Sequence, residues 1–495
     1  MAGRLVSPGV AAALAPGFAL TGLASEQPFR ASEIVPRDEG HDVTTIPVGV
    51  ELKDELAARA FGVENRAVAL RENGRITLDC AAGRSAAGMV LRMPYRGLPR
   101  AIALVASVGY AANGEFEWGL SDARRAASGD PLPLATLPAA TATSVIDLPH
   151  AGLDVSSIES ITIACPREVA RLELRSLKVE PKTARARAPS RALWAWQPDA
   201  WMQMPEALLE KLAKAGADTL FMTVPVDLHA GVVEQPSALE VFVEAARRRG
   251  VRVWAVVGDP GAVIETERAA FARLAAAYAR YNRGVRAEAR LAGVQFDIEP
   301  YLNAGYALDP AAWHEAYLAT LRQLRRVADL PVDVVVPYWW ADRQTSGGRL
   351  IEQLATVVDS VTVMGYRTEP VQIKRIAQPF LEWGVRHMRA VRIALESGPI
   401  PDEVQQHYRP ARSGEAALIA IGPHHVMLEF DGVLSFPASS PVVQMFLHSH
   451  VTPVPGSGVT FAGRRDALLT LLPELERLWG AWPAFAGTAL HEFEP

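Results

Sequence analysis

Gly293-Val294-Gln295-Phe296-Asp297-Ile298-Glu299-Pro300-Tyr301 is an apolar run that closes on two carboxylates. Side chains on a strand alternate between its faces. Asp297 and Glu299 therefore share one face, and Phe296 and Ile298 share the other. In a (β/α) barrel the C-terminal end of such a strand is where chemistry is carried. Two acids side by side cannot both ionise freely, so one is held protonated towards neutral pH. That protonated form is what a general acid needs. The rival reading makes Asp297 a cap and Glu299 half of a surface ion pair.

The surroundings of this run favour the barrel. Strand-like stretches alternate with amphipathic helical ones, the signature of a parallel sheet. The strands read as Leu193–Gln197, Thr219–Val224, Val251–Val257, Gly293–Glu299, Val332–Tyr338, Ser360–Tyr366, Val391–Glu396 and Gly487–Phe493. Helices are expected over Pro205–Ala215, Ala238–Arg249, Ile264–Tyr281, Ala311–Val327, Leu350–Val357, Ile373–Arg389 and Arg464–Trp479. Lys214-Ala215-Gly216 and Arg249-Gly250 read as helix stops. The prediction is an α/β protein with a (β/α)8 TIM barrel over 192–495. A β-rich insertion at about 402–460 interrupts it, with strands Ala417–Ile421, Val426–Phe430 and Val442–His448 and a turn at Asp431-Gly432.

Ahead of the barrel, 40–183 reads as all-β. Short runs such as Ile76–Cys80, Gly88–Met93 and Leu172–Val179 are punctuated by Gly, Pro, Asn and Asp, which suggests a jelly-roll-like β-sandwich accessory domain. A basic, Pro-bounded linker follows at 184–191. Residues 1–25 resemble a signal or lead segment, so export to the periplasm or beyond is expected, with a cytoplasmic location as the alternative. Cys80 and Cys165 could pair if the protein is exported, but two cysteines do not make a disulfide framework, and buried free thiols are the slightly favoured reading. Hydrophobic residues at 49% supply ample core. A net charge of −5 argues against nucleic acid as a partner, and no stretch is long and apolar enough to span a membrane.

Other strand ends add polar and aromatic groups: Trp196, Asp259, Tyr338, Trp339, Trp340, Tyr366, Arg367, Glu396 and His491, with Tyr301 just past strand four. Convergence of such ends is how this architecture builds a site. Trp194, Trp196 and Trp254 compete with a core role, whereas Tyr338, Trp339 and Trp340 favour a sugar platform. Asp227, His229, Asp259 and His491 are weaker candidates. His424-His425 and His448-x-His450 read as exposed histidines, and no metal or organic cofactor is expected.

Strand four resembles that of the chitinase-like, family 18 glycoside hydrolases, whose signature is D-G-x-D-x-D-x-E. Gly293, Asp297 and Glu299 match it, while Ala292 and Gln295 stand where the family has Asp. Strand six is similar to the family's M-x-Y-D in Met364-Gly365-Tyr366, with Arg367 in place of Asp. The resemblance implies that Glu299 is the general acid. It also implies that Asp297 and Tyr366 orient a 2-acetamido group that itself attacks the anomeric carbon. Arg367 would favour an anionic group in the substrate. A second resemblance, to retaining two-glutamate glycosidases, makes Glu396 the nucleophile and Glu299 the acid/base. Both imply hydrolysis of a polysaccharide or oligosaccharide. The competing class is a non-catalytic carbohydrate-binding barrel in exopolysaccharide assembly or modification.

Overall fold

The computed structural model describes Phe18–Leu20 and residues 45–63, 65–148, 152–183, 190–342, 346–436 and 440–493. The expected lead segment lies outside these apart from Phe18–Leu20, as does most of the expected linker. One compact unit includes Ala188–Glu476 and Ala484–Pro495. The other takes in Asp38–Arg187 and Arg477–Pro483.

The first unit holds a closed barrel of eight parallel strands. Numbered within the barrel they are β1 (Arg191–Ala195), β2 (Thr219–Thr223), β3 (Arg252–Val257), β4 (Gly293–Phe296), β5 (Val332–Pro337), β6 (Ser360–Met364), β7 (Ala390–Glu396) and β8 (Phe485–His491). Closure comes from β8 pairing with both β7 and β1. All eight runs read as strands in this half of the chain take part. Helices α1 (Pro205–Ala215), α2 (Pro236–Arg248), α3 (Glu265–Gly284), α4 (Pro310–Ala328), α5 (Ser346–Leu354), α6 (Pro370–His387) and α7 (Arg465–Trp479) lie between strands. Proline opens α1, α2, α4 and α6, where its missing N–H costs nothing. Helix α1 ends on Gly216 in the left-handed region, φ 64°. Its buried stripe, Leu208, Leu209, Leu212 and Ala215, follows helical spacing.

The insertion after β7 is an antiparallel sheet of Glu403–Ala411, Gly414–Ile421, His424–Leu434 and Val442–Val454, with Phe18–Leu20 parallel to the first of these. Glu403–Ala411 is too polar to stand out in the sequence. The expected turn at Asp431-Gly432 is corrected: both residues lie within His424–Leu434, and the chain reverses at Gly422, φ 59°. Tyr408, Ala416, Leu418 and Phe446 form the sheet's apolar face. That face packs on Ala304, Ala307 and Leu308, in the loop after β4. The insertion therefore braces the segment that carries Glu299.

The second unit contains two five-stranded antiparallel sheets. One runs in the order Ala57–Gly62, Ala87–Arg92, Ile158–Ala164, Phe116–Asp122, Leu132–Leu137. The other runs Ala67–Glu72, Arg75–Cys80, Ala170–Pro181, Leu104–Ala112, Thr141–Leu148. Trp118, Leu120 and Ile161 of the first sheet and Ala106, Leu148, Leu177 and Val179 of the second line a common interior. The apolar positions of Ala170–Pro181 slip from Leu172 and Leu174 to Leu177 and Val179. A bulge between Leu174 and Ser176 absorbs the slip and keeps all four buried. The expectation of free thiols is overturned. Cys80 ends a strand of one sheet and Cys165 directly follows a strand of the other. Their Cα atoms are 5.8 Å apart, and they form a disulfide.

Candidate active site

The barrel's floor fixes which way β4 faces. Gln295 Oε1 accepts from Trp194 Nε1 at 2.7 Å, and Gln295 Nε2 donates to Asp333 Oδ2 at 2.8 Å. Thr362 Oγ1 donates to the same Asp333 oxygen at 2.8 Å. These partners sit on β1, β5 and β6, so Gln295 points inward. The strand ends at Phe296, short of the expected Glu299; the Asp297 N–H still donates to the Val257 carbonyl of β3 at 2.8 Å, so Asp297 and its neighbour Glu299 lie just past the strand at its C-terminal mouth. Gly293 opens β4 because the Trp254 ring lies against it; a Cβ there would stand 2.2 Å from that ring. The floor was missed in the sequence, although a signal existed. Asp333 interrupts the apolar Val332–Val336 run, and a buried acid in such a run needs partners.

Asp297 and Glu299 are 3% and 2% exposed. Burial pushes the Asp297 carboxyl up to about 7, with His491 pulling it down and Asp333 pushing it further up. Burial and the neighbouring Asp297 hold Glu299 well above the usual carboxylate range, against a hydrogen bond donated by the Tyr301 hydroxyl to Glu299 Oε2. Asp297 Oδ1 is buried with no hydrogen-bond partner among the described residues. Neither acid is a cap or a surface ion pair.

Glu396 ends β7 in register with His491 on β8. Its Oε1 accepts from the Gly398 N–H at 2.6 Å, and its Oε2 is 2.7 Å from His491 Nδ1. Trp196 Nε1 donates to His491 Nε2 at 3.0 Å. Tyr366 is buried, and its hydroxyl is pushed well up by burial first and then by Glu396, Asp297 and Glu299. Asp297, Glu299, Tyr366, Glu396, Trp196 and His491 thus meet at one mouth. His491 belongs here more firmly than its place at a strand end suggests, because its ring is 1% exposed.

The aromatic set packs together. Tyr301 packs edge-on against Trp339, ring centroids 5.2 Å apart, and Trp339 against Tyr338 at 5.3 Å. Tyr338, Trp339 and Trp340 are all buried, 6%, 9% and 2% exposed, so the expected open platform is corrected: packing encloses all three rings, Trp340 against Tyr301, His314 and Tyr317. Arg367 donates to Tyr338 Oη and, at 2.7 Å, to the Tyr366 carbonyl, with its guanidinium over the Tyr338 ring. It ties the ends of β5 and β6 together. Asp259 is exposed and accepts from the Gly261 N–H at 2.6 Å, capping the turn Pro260–Val263. Asp227 caps a turn through the His229 and Ala230 N–H groups. His424 is half exposed and pairs with Glu267 of α3 at 3.1 Å. Among the described residues no group of three or more His, Cys, Asp or Glu is arranged to hold a metal, and no helix is long and apolar enough to cross a membrane.

The chain matches no protein-family model and no curated protein. Among solved structures it is similar to the CBM22-1–GH10 modules of the Clostridium thermocellum endo-1,4-beta-D-xylanase 10B complexed with xylohexaose. That match has 10% identity and a TM-score of 0.28, and covers 74% of this chain and 83% of that one. It is also similar to a family 29 carbohydrate-binding module complexed with mannohexaose, at 13% identity and a TM-score of 0.20, over 28% of this chain and 88% of that one. The functional reading rests on the site's own geometry.

Proposed function

We propose that the protein cleaves a polysaccharide or oligosaccharide in a glycosidase-type (β/α)8 TIM barrel, with Glu299 as general acid. One observation carries this: two carboxyls, Asp297 and Glu299, lie buried together at the barrel mouth, where burial and the neighbouring Asp297 hold Glu299 well above the usual carboxylate range. A protonated carboxyl in a dry site is poised to give its proton to a departing glycosidic oxygen. Asp297 Oδ1, left without a partner, would accept from a substrate N–H or O–H beside the reacting carbon. Tyr366 lies within the field of the same acids and would orient that group. Water then reaches the anomeric carbon after attack by a neighbouring substrate group or by Glu396.

The surrounding assignments belong to the same proposal. The two antiparallel sheets at 40–183 serve as a jelly-roll-like β-sandwich accessory domain, joined by the linker 184–191 to the barrel at 192–495. Residues 1–25 would serve as an export lead that stays attached, since Phe18–Leu20 pairs with Gln406–Tyr408 in the inserted sheet. The disulfide supports export, since such bonds persist in oxidising compartments. Trp196 and Tyr301 would line the sugar's path.

One observation favours a second reading, a non-catalytic carbohydrate-binding barrel: the Tyr301 hydroxyl occupies Glu299 Oε2 in an almost sealed site. The deciding experiment is turnover of a polysaccharide panel by the native protein, Glu299→Gln and Tyr301→Phe. Hydrolysis abolished in the first variant and retained in the second supports the acid. Saccharide binding without turnover in all three supports the binding barrel.

A further inference from the structure

The hydrogen bonds around His491 determine where its proton sits. Indole N–H can only donate, and Trp196 Nε1 donates to His491 Nε2 at 3.0 Å. That nitrogen must therefore offer a lone pair. The other, Nδ1, stands 2.7 Å from Glu396 Oε2, a carboxylate oxygen that can only accept. The single ring proton lies on Nδ1. Glu396 is held in turn by the Gly398 N–H, and the Trp194 and Tyr366 rings flank the imidazole at 5.6 and 6.2 Å. His491 and Glu396 are each 1% exposed, whereas Trp196 is only half buried. The chain of bonds thus runs from a rigid, dry dyad to an indole that still has a face to offer.

We propose that His491 is a positioning residue: in its neutral, Nδ1-protonated form it clamps the Trp196 indole by its edge and so makes that ring the ligand-facing platform on this side of the mouth. The ligand class, a pyranose ring laid on the indole, rests on the glycosidase-type reading above; the clamp itself does not. Burial opposes a second proton, but the hydrogen bond and charge of Glu396, then Glu492 and Asp297, outweigh it and hold the imidazole above its ordinary value, so the neutral form belongs to the alkaline side of that raised titration; the Tyr366 ring lies alongside. A proton added at Nε2 removes the lone pair that Trp196 uses, so acidification opens the clamp.

The test uses the full chain labelled with 15N at histidine and tryptophan. Trp196→Phe assigns the indole resonance and His491→Gln the ring nitrogens. On the alkaline side of the raised His491 titration the expected spectrum shows Nδ1 protonated, Nε2 bare and the Trp196 indole proton shifted to low field. On acidification the indole proton should move upfield with the same midpoint as Nε2. An Nε2 that carries the single remaining proton on the alkaline side of the His491 titration, or an indole resonance indifferent to that titration, overturns the clamp. Binding of cellohexaose, mannohexaose and xylohexaose then tests the ligand class. His491→Phe and Trp196→Phe should each weaken binding by about tenfold, with no further loss in the double variant. Independent losses that multiply refute the shared role. If the native protein binds none of the three, the ligand class fails while the resonances still decide the clamp.

Discussion

Glu299 and Asp297 are the residues whose ionisation the fold controls most directly. Glu299→Gln keeps the shape and removes the proton, so kcat should fall about 10²–10⁴-fold with KM little changed; equal turnover by both proteins removes Glu299 from the mechanism. Asp297→Asn deletes the charge that pushes Glu299 up. The pH at which the acid is lost should therefore move down in the kcat profile. The same pair sets a stability slope. A carboxyl raised from 3.8 to about 7 binds its proton more tightly when folded. Its contribution is complete below the unfolded value and is lost as pH rises through about 7. Native stability should therefore decline across that window, at no more than ~1.4 kcal/mol per pH unit for one carboxyl. Asp297→Asn should flatten this decline in urea titrations at several pH values; an unchanged slope points to other groups.

Strand β4 and the elements around it turn those residues into a site. Gly293 is required because the Trp254 ring occupies the space of a side chain. Gly293→Ala should destabilise the protein by about 1–3 kcal/mol through overpacking, read as a lower urea midpoint. Trimming the ring in a Gly293→Ala, Trp254→Leu pair should recover part of that loss, and purely additive losses would exclude this contact as the cause. The strands of the barrel were legible because each is a short apolar run beside a helical period. The edge strands Ala57–Gly62 and Leu132–Leu137 were not, because edge strands bury little and carry weak alternation. Tyr338, Trp339 and Trp340 looked alike in sequence. Tertiary packing buries all three, which a position just past a strand does not reveal.

At the scale of the whole molecule, the Cys80–Cys165 disulfide closes a sequence separation of 85 and joins both antiparallel sheets. Replacing both cysteines by Ala should cost about 2–5 kcal/mol, seen as a lower denaturant midpoint, with reductant giving a comparable loss in the native protein. A protein indifferent to reductant would show that the sheets hold without the bond. In the barrel unit, the inserted sheet and the loop after β4 share an apolar core, so the loop that follows Glu299 is supported from outside the barrel.

The amino-acid order alone determined the eight-strand parallel barrel, three strands of the inserted sheet and the shared face of Asp297 and Glu299, because backbone periodicity and apolar spacing are local properties. Tertiary structure decided what lies between distant residues. It paired Cys80 with Cys165 and Glu396 with His491, turned Arg367 onto Tyr338, and set the burial that pushes the Glu299 carboxyl up. Those outcomes depend on distances across the fold and on the exclusion of water, and neither is written in any one stretch of chain.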